Sequence, residues 1–294
     1  MKGGQLDRCR KSDTCPKIMA TETDTEYWQA MMSLNTSDPL GEIDYPIPPE
    51  VRIYHFAGTQ HGGGNVLEQP PAVMPRPPAH CQLPANSNSF LPQQRALLVA
   101  MQEWIAGTRE PPASRYPTIR NRTLVPVTEI KYPYMPAVNF TVPGIAGQRF
   151  YLDRGPGYRE ADATGVMNEP PKVGKPYALL LPQVDADGNN VDGLRNTSAA
   201  VPLGTYLGWN VRKAGFSEGD SCDLTGGFIP FFKTKAERLA ANDPRPSLEE
   251  RYPTHDDYVA KVSAAAKQLV ADRFLLQLDA DMLVEQAKAA AIPR

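Results

Sequence analysis

Val51-Arg52-Ile53-Tyr54-His55-Phe56-Ala57, followed by Gly58-Thr59-Gln60-His61-Gly62-Gly63-Gly64, is the stretch on which the reading of this chain turns. Its first seven residues are largely apolar or aromatic on both faces of an extended backbone, the pattern of a strand covered on both sides of its sheet. The glycines that follow let the backbone bend sharply and leave His61 just past the strand's carboxyl end, where parallel sheets place catalytic groups. His55, inside the strand, reads as a packed core residue.

Upstream, residues 16–22 read as a short strand. Thr23 or Asp24 then caps a helix whose apolar positions Tyr27, Trp28, Met31, Met32 and Leu34 fall at helical spacing. Downstream lie a loop and then a helix over about 92–106, with Leu97, Leu98, Met101, Trp104 and Ile105 as its buried stripe and Gly107 as its stop. The order strand, helix, strand, loop, helix suggests the end of a mostly parallel sheet. Residues 113–232 change character. Short β-branched and aromatic runs, 124–127, 137–142, 177–184 and 201–211, alternate with Gly and Pro and predict an irregular, β-rich region. Asp185-Ala186-Asp187-Gly188-Asn189-Asn190 reads as a hairpin tip rather than a calcium loop, since Gly188 is fourth and Asn196 twelfth where glycine is needed sixth and an acid twelfth. The last sixty residues are helical in pattern, with starts near Ser247, Thr254 and Asp279.

Composition bounds the partners. The 294 residues carry 31 Lys+Arg against 33 Asp+Glu and are 41 % hydrophobic, which excludes disorder and collagen. No apolar run approaches the roughly 18 residues of a membrane helix. No basic cluster marks a nucleic-acid or anionic-membrane partner. Thirty prolines and 22 glycines imply long connections between packed elements. Cys9 and Cys15 are near enough to close a small loop, with buried thiols as the equal alternative, and Cys81 and Cys222 complete an even set too sparse for a disulfide scaffold. Metal binding ranks below both, because five residues separate Cys9 from Cys15 and only His80-Cys81 stands near another ligand pair. No dinucleotide, P-loop or His-Glu-x-x-His string is present, so no cofactor is expected. The segment from Met1 to Cys9 lacks the apolar core of a secretory signal, so the protein is expected to be cytosolic or to have its true start further upstream.

Three motifs taken together resemble one family. Lys17-Ile18-Met19-Ala20-Thr21-Glu22-Thr23-Asp24-Thr25-Glu26-Tyr27-Trp28, the 51–62 stretch and the helix around Arg95-Ala96-Leu97-Leu98 look like the closing section of a bacterial α/β-hydrolase-domain family. Pro182-Gln183-Val184-Asp185-Ala186-Asp187-Gly188-Asn189, Val201-Pro202-Leu203-Gly204-Thr205-Tyr206 and Arg245-Pro246-Ser247-Leu248-Glu249-Glu250-Arg251-Tyr252-Pro253 resemble its C-terminal extension. The resemblance implies an α/β fold in three parts: the C-terminal section of a hydrolase core over 1–112, a β-rich extension over 113–232 and a helical segment over 233–294.

It also implies a serine-type hydrolase of small-molecule carboxylic esters. The triad order in such enzymes is nucleophile, acid, His, with the acid after the penultimate strand and the His after the last. Glu26 and His61 fit those two places, with Glu22 and Asp24 in reserve as the acid. The nucleophile should precede Glu26, where only Ser12 stands, outside any Gly-x-Ser-x-Gly turn. The serine is therefore expected upstream of Met1, on a missing N-terminal part of the same protein, and export of that longer protein is one possibility that Cys9 and Cys15 raise. Two other readings stand beside this one. Gly215-Phe216-Ser217-Glu218-Gly219 matches the serine motif, with Asp243 and His255 following in nominal order, although no strand-to-helix turn surrounds Ser217. Alternatively, the chain is a non-catalytic binding or scaffolding module whose hydrolase-like part is vestigial.

Overall fold

The computed structural model describes residues 6–63, 79–136, 138, 144, 146–159 and 165–292. Gly64, the prolines between 70 and 78 and nearly all of the run 137–142 lie outside the described residues. Helix α1 (Asp7–Ser12) is exposed and closed on itself by a Cys9–Cys15 disulfide. Strand β1 (Ile18–Thr23) passes directly into α2 (Asp24–Ala30). That helix is shorter than its apolar spacing predicts. Met31 adopts a left-handed φ of 54° and returns its N–H to the Glu26 carbonyl, which ends the helix one turn early. Met32 and Leu34 then fall in a 3-10 turn.

Strand β2 (Val51–Phe56) pairs with β1 in parallel, Ile18 opposite Val51 and Thr23 opposite Phe56. Both strands therefore finish at the same sheet edge, and α2 leaves beside the loop that carries His61. The far edge of β2 is covered: the His55 N–H donates to the Arg115 carbonyl at 2.8 Å, and the Leu194 N–H to the His55 carbonyl at 2.7 Å. The far edge of β1 carries no strand among the described residues.

Helix α3 (Leu91–Ile105) appears where expected, with Gly107 at a φ of 70° beyond it. Its buried stripe differs from the expected one. Gln93, Ala96, Leu97, Ala100 and Trp104 face inward, whereas Leu98 and Ile105 are 61 % and 65 % exposed. Both sets obey a helical period. The small alanines let the helix approach its neighbours closely, and that turns the adjacent arc, with Leu98 and Ile105, to solvent.

The remaining strands are short: β3 (Leu124–Pro126), β4 (Phe150–Asp153), β5 (Lys172–Pro176), β6 (Leu180–Pro182), β7 (Gly204–Tyr206) and β8 (Phe228–Pro230). They form antiparallel pairs β3–β6, β4–β5 and β7–β8. The chain thus mixes helices and strands as expected, but its sheets are two-stranded and only β1–β2 is parallel among the described residues. The 185–190 turn is the expected hairpin tip, bridged from Val184 to Asn190 with Gly188 at a φ of 78°. Helices Lys235–Ala240, Leu248–Arg251 and His255–Ala271 start at Thr234, Ser247 and Thr254, each paired with an acid three residues on in a capping box. Helix Gln277–Ala289 follows, and its Asp279 is bonded to Arg95 on α3.

Three apolar clusters hold these pieces together, and each joins distant parts of the sequence. One packs Tyr27 and Trp28 of α2 against Leu124, Leu181, Leu207 and Trp209. A second sets Tyr54, Phe56 and Leu97 against Leu194, Leu269 and Phe274. The third joins Tyr206 and Phe228 to Tyr252, Tyr258 and Val262. A Cys81–Cys222 disulfide, unanticipated as a pair, ties segments 141 residues apart.

Candidate active site

Thr23 ends β1 in extended conformation and caps α2, which places Glu26 on the first helical turn. One carboxylate oxygen of Glu26, Oε2, accepts the Thr23 N–H at 2.6 Å and also the Thr23 hydroxyl. This reciprocal cap fixes the side chain and leaves Oε1 to face outward, where it meets Nδ1 of His61. Burial pushes the Glu26 carboxyl up, but the Thr23 hydroxyl, the His61 imidazole and the Thr23 N–H together outweigh it and hold the group below its ordinary value. The His61 ring is 54 % exposed, and its Nε2 has no hydrogen-bond partner among the described residues.

The loop that presents His61 is built on polar side chains from distant segments. Asn190 Oδ1 accepts the Gly58 N–H at 2.6 Å, while Asn86 and Asn88 donate to the Gly58 carbonyl at 2.9 and 3.0 Å. Gly58 itself has a φ of 64°, a conformation that favours glycine. The Gln60 side chain accepts the Gly226 N–H at 3.0 Å. His61 is anchored by its own N–H, which donates to the Thr25 hydroxyl at 3.1 Å.

The two reserve acids go elsewhere. Glu22 is buried and accepts from the Tyr27 hydroxyl at 2.9 Å and the Asn35 amide at 2.5 Å, and burial raises its carboxyl above the ordinary value despite those bonds. Asp24 accepts from Asn190 at 3.2 Å and lies 3.3 Å from Nε2 of His55. That approach is off hydrogen-bond geometry, so both nitrogens of the fully buried His55 lack a hydrogen-bond partner among the described residues. Of the three carboxylates, Glu26 is the one the structure brings to His61.

A family model described as an alpha/beta hydrolase domain matches residues 2–285. The chain belongs to that family. No curated protein and no solved structure matches it.

Within this hydrolase-family chain, the second serine constellation is dispersed. Ser217 lies in an exposed turn closed by Arg212–Asp220 backbone bonds, with no helix following it. Asp243 is buried against Arg245, and the His255 ring faces the carbonyls of Ile292 and Lys288. Ligand atoms of His80, Cys81 and Cys222 lie within 4.8 Å of one another. The two sulfurs are joined to each other, whereas metal binding needs thiolates, and the His80 ring is bonded to Asp223 at 2.5 Å. Two surface grooves, about 460 Å³ between the last two helices and about 170 Å³ beside α3, are lined by neither Glu26 nor His61. No described helix is long and apolar enough to cross a membrane.

Sequence reading missed the residues that hold the pair, namely Thr25, Asn86, Asn88, Asn190 and Gly208. The asparagines sit in stretches that read as loop, and nothing local distinguishes a buried loop asparagine from a solvated one. Gly208 offers no signal at all before its neighbours are known.

Proposed function

We propose that this chain supplies the acid and the histidine of a Ser–acid–His triad in a serine-type hydrolase of small-molecule carboxylic esters, with the serine upstream of Met1. The observation that carries the reading is the contact of His61 Nδ1 with the Glu26 carboxylate, at the shared carboxyl end of two parallel strands, with no partner on Nε2 among the described residues. In that arrangement Glu26 holds the imidazole in one tautomer and orientation, so that Nε2 is a base. Nε2 takes the serine proton as the serine oxygen attacks the ester carbonyl. The resulting imidazolium is stabilised by Glu26 and returns the proton to the departing alcohol. Water then attacks the acyl-enzyme with the same nitrogen as base.

Two further features support this reading. The edge of β1 that carries no strand among the described residues would be a liability in a finished sheet, and further parallel strands from an upstream portion would cover it. That portion would also complete a substrate pocket, which neither described groove forms around the pair. Two disulfides suit an oxidising compartment, so we place the working enzyme outside a reducing cytosol.

Fluorophosphonate labelling with peptide mapping tests the division of the triad. The chain alone takes no serine adduct, and the chain joined to its upstream coding sequence takes one, at a serine before Met1. An adduct at Ser217 overturns the proposal. Absence of any adduct or esterase activity in the joined protein overturns it too, in favour of a binding module.

A further inference from the structure

His61 sits on a loop with an exposed ring, so packing does not fix where its imidazole lies. One hydrogen bond ties the His61 backbone directly to the start of α2. The His61 N–H donates to Thr25 Oγ1 at 3.1 Å, and the Thr25 hydroxyl donates its single proton to the Gly208 carbonyl at 2.6 Å. A hydroxyl has one proton and two lone pairs, so spending the proton on Gly208 turns the lone pairs toward His61. Thr25 is 1 % exposed, which removes water as a competitor for either bond. Gly208 is where it is because nothing larger fits: a Cβ there would lie 2.4 Å from the Asp24 Cβ and 2.8 Å from the Thr25 nitrogen.

We infer that Thr25 is a positioning residue for His61, its hydroxyl oriented by the Gly208 carbonyl so that the His61 backbone is held where Nδ1 meets Glu26. The inference rests on reading Glu26 and His61 as an acid–histidine pair, and it extends that reading to the β-rich region, which supplies Gly208. Thr23 clamps Glu26 and Thr25 clamps His61, so both partners hang from the same helix start. Small movements of α2 carry them together and preserve their contact.

The test uses the full chain, uniformly labelled with ¹⁵N. In the wild type the His61 backbone amide exchanges at least about tenfold more slowly than that of Gly62, and the His61 Nδ1–H gives a downfield proton resonance that Glu26→Gln displaces. Thr25→Val keeps the shape but lacks the hydroxyl, and it loses that resonance and the slow exchange of the His61 amide. Thr25→Ser restores both. A folded Thr25→Val variant with wild-type His61 resonance and amide exchange overturns the positioning role while leaving the pair intact. Should Thr25→Val not fold, the wild-type amide decides: exchange as fast as that of Gly62 overturns the role. A His61 ring indifferent to Glu26→Gln defeats the pair itself, and the inference with it.

Discussion

Glu26 divides its two carboxylate oxygens between Thr23 and His61, so its ionised form is favoured from two sides in the folded chain. Its folded proton affinity lies below the ordinary value of 4.5. A carboxyl depressed on folding contributes stability that is present above its unfolded pKa and is lost as pH falls through the folded one. Glu26→Gln, which can still accept from Thr23, should therefore be less stable than the wild type by on the order of 1 kcal/mol at pH 7. The gap should be smaller at a pH below the ordinary 4.5, as the wild-type carboxylate begins to protonate. Urea unfolding at both pH values checks this, and a gap equal at both would contradict the assigned cause. Glu26 and His61 stood out in the sequence because each follows a recognisable strand end and because Thr25-Glu26-Tyr27-Trp28 resembles the family pattern, and the structure brings the two side chains together. Thr25 was not, because its bonds run to residues 36 and 183 positions away and no local pattern records them.

Among the elements, the α2 start matters most, since it touches β1, the His61 loop and the segment through Gly208. Gly208→Ala would drive a methyl into Asp24 and Thr25 backbone and should cost roughly 1–3 kcal/mol. Gly62→Ala, beside His61 but with nothing within 4 Å of the added methyl, should stay within about 0.5 kcal/mol of the wild type. Thermal unfolding of the two variants makes the comparison, and equal effects would refute the close-packing argument. The parallel pairing of β1 and β2 followed from their order, and the capped starts at Ser247 and Thr254 from their acids three residues on. The burial face of α3 did not follow. Leu98 and Ile105 are as apolar as Leu97, and only the neighbours' shape selects the alanine-lined arc. Strands β4 and β5 were likewise missed, because every residue in them is exposed and their sequences lack alternation.

Across the whole molecule, clusters of side chains and one long-range disulfide join regions that composition alone would separate. Cys81–Cys222 closes a loop of 141 residues and Cys9–Cys15 one of six. In the chain-entropy limit these stabilise by about 5 and about 2 kcal/mol. Replacing Cys81 and Cys222 with serine should therefore lower denaturant resistance well beyond the same change at Cys9 and Cys15, as chemical unfolding of both double variants would show. Equal losses would contradict the loop-length argument. Family membership sets the scale of the functional claim: the alpha/beta hydrolase domain match spans residues 2–285, and Glu26 and His61 both lie inside it. The most direct test is the kcat/KM for a chromogenic carboxylic ester in the protein joined to the upstream portion proposed above, with His61 intact and as His61→Ala. The account predicts a fall of about a thousandfold to a millionfold, with protein that remains folded. Activity near that of the parent would contradict it and return His61 to the status of a loop residue.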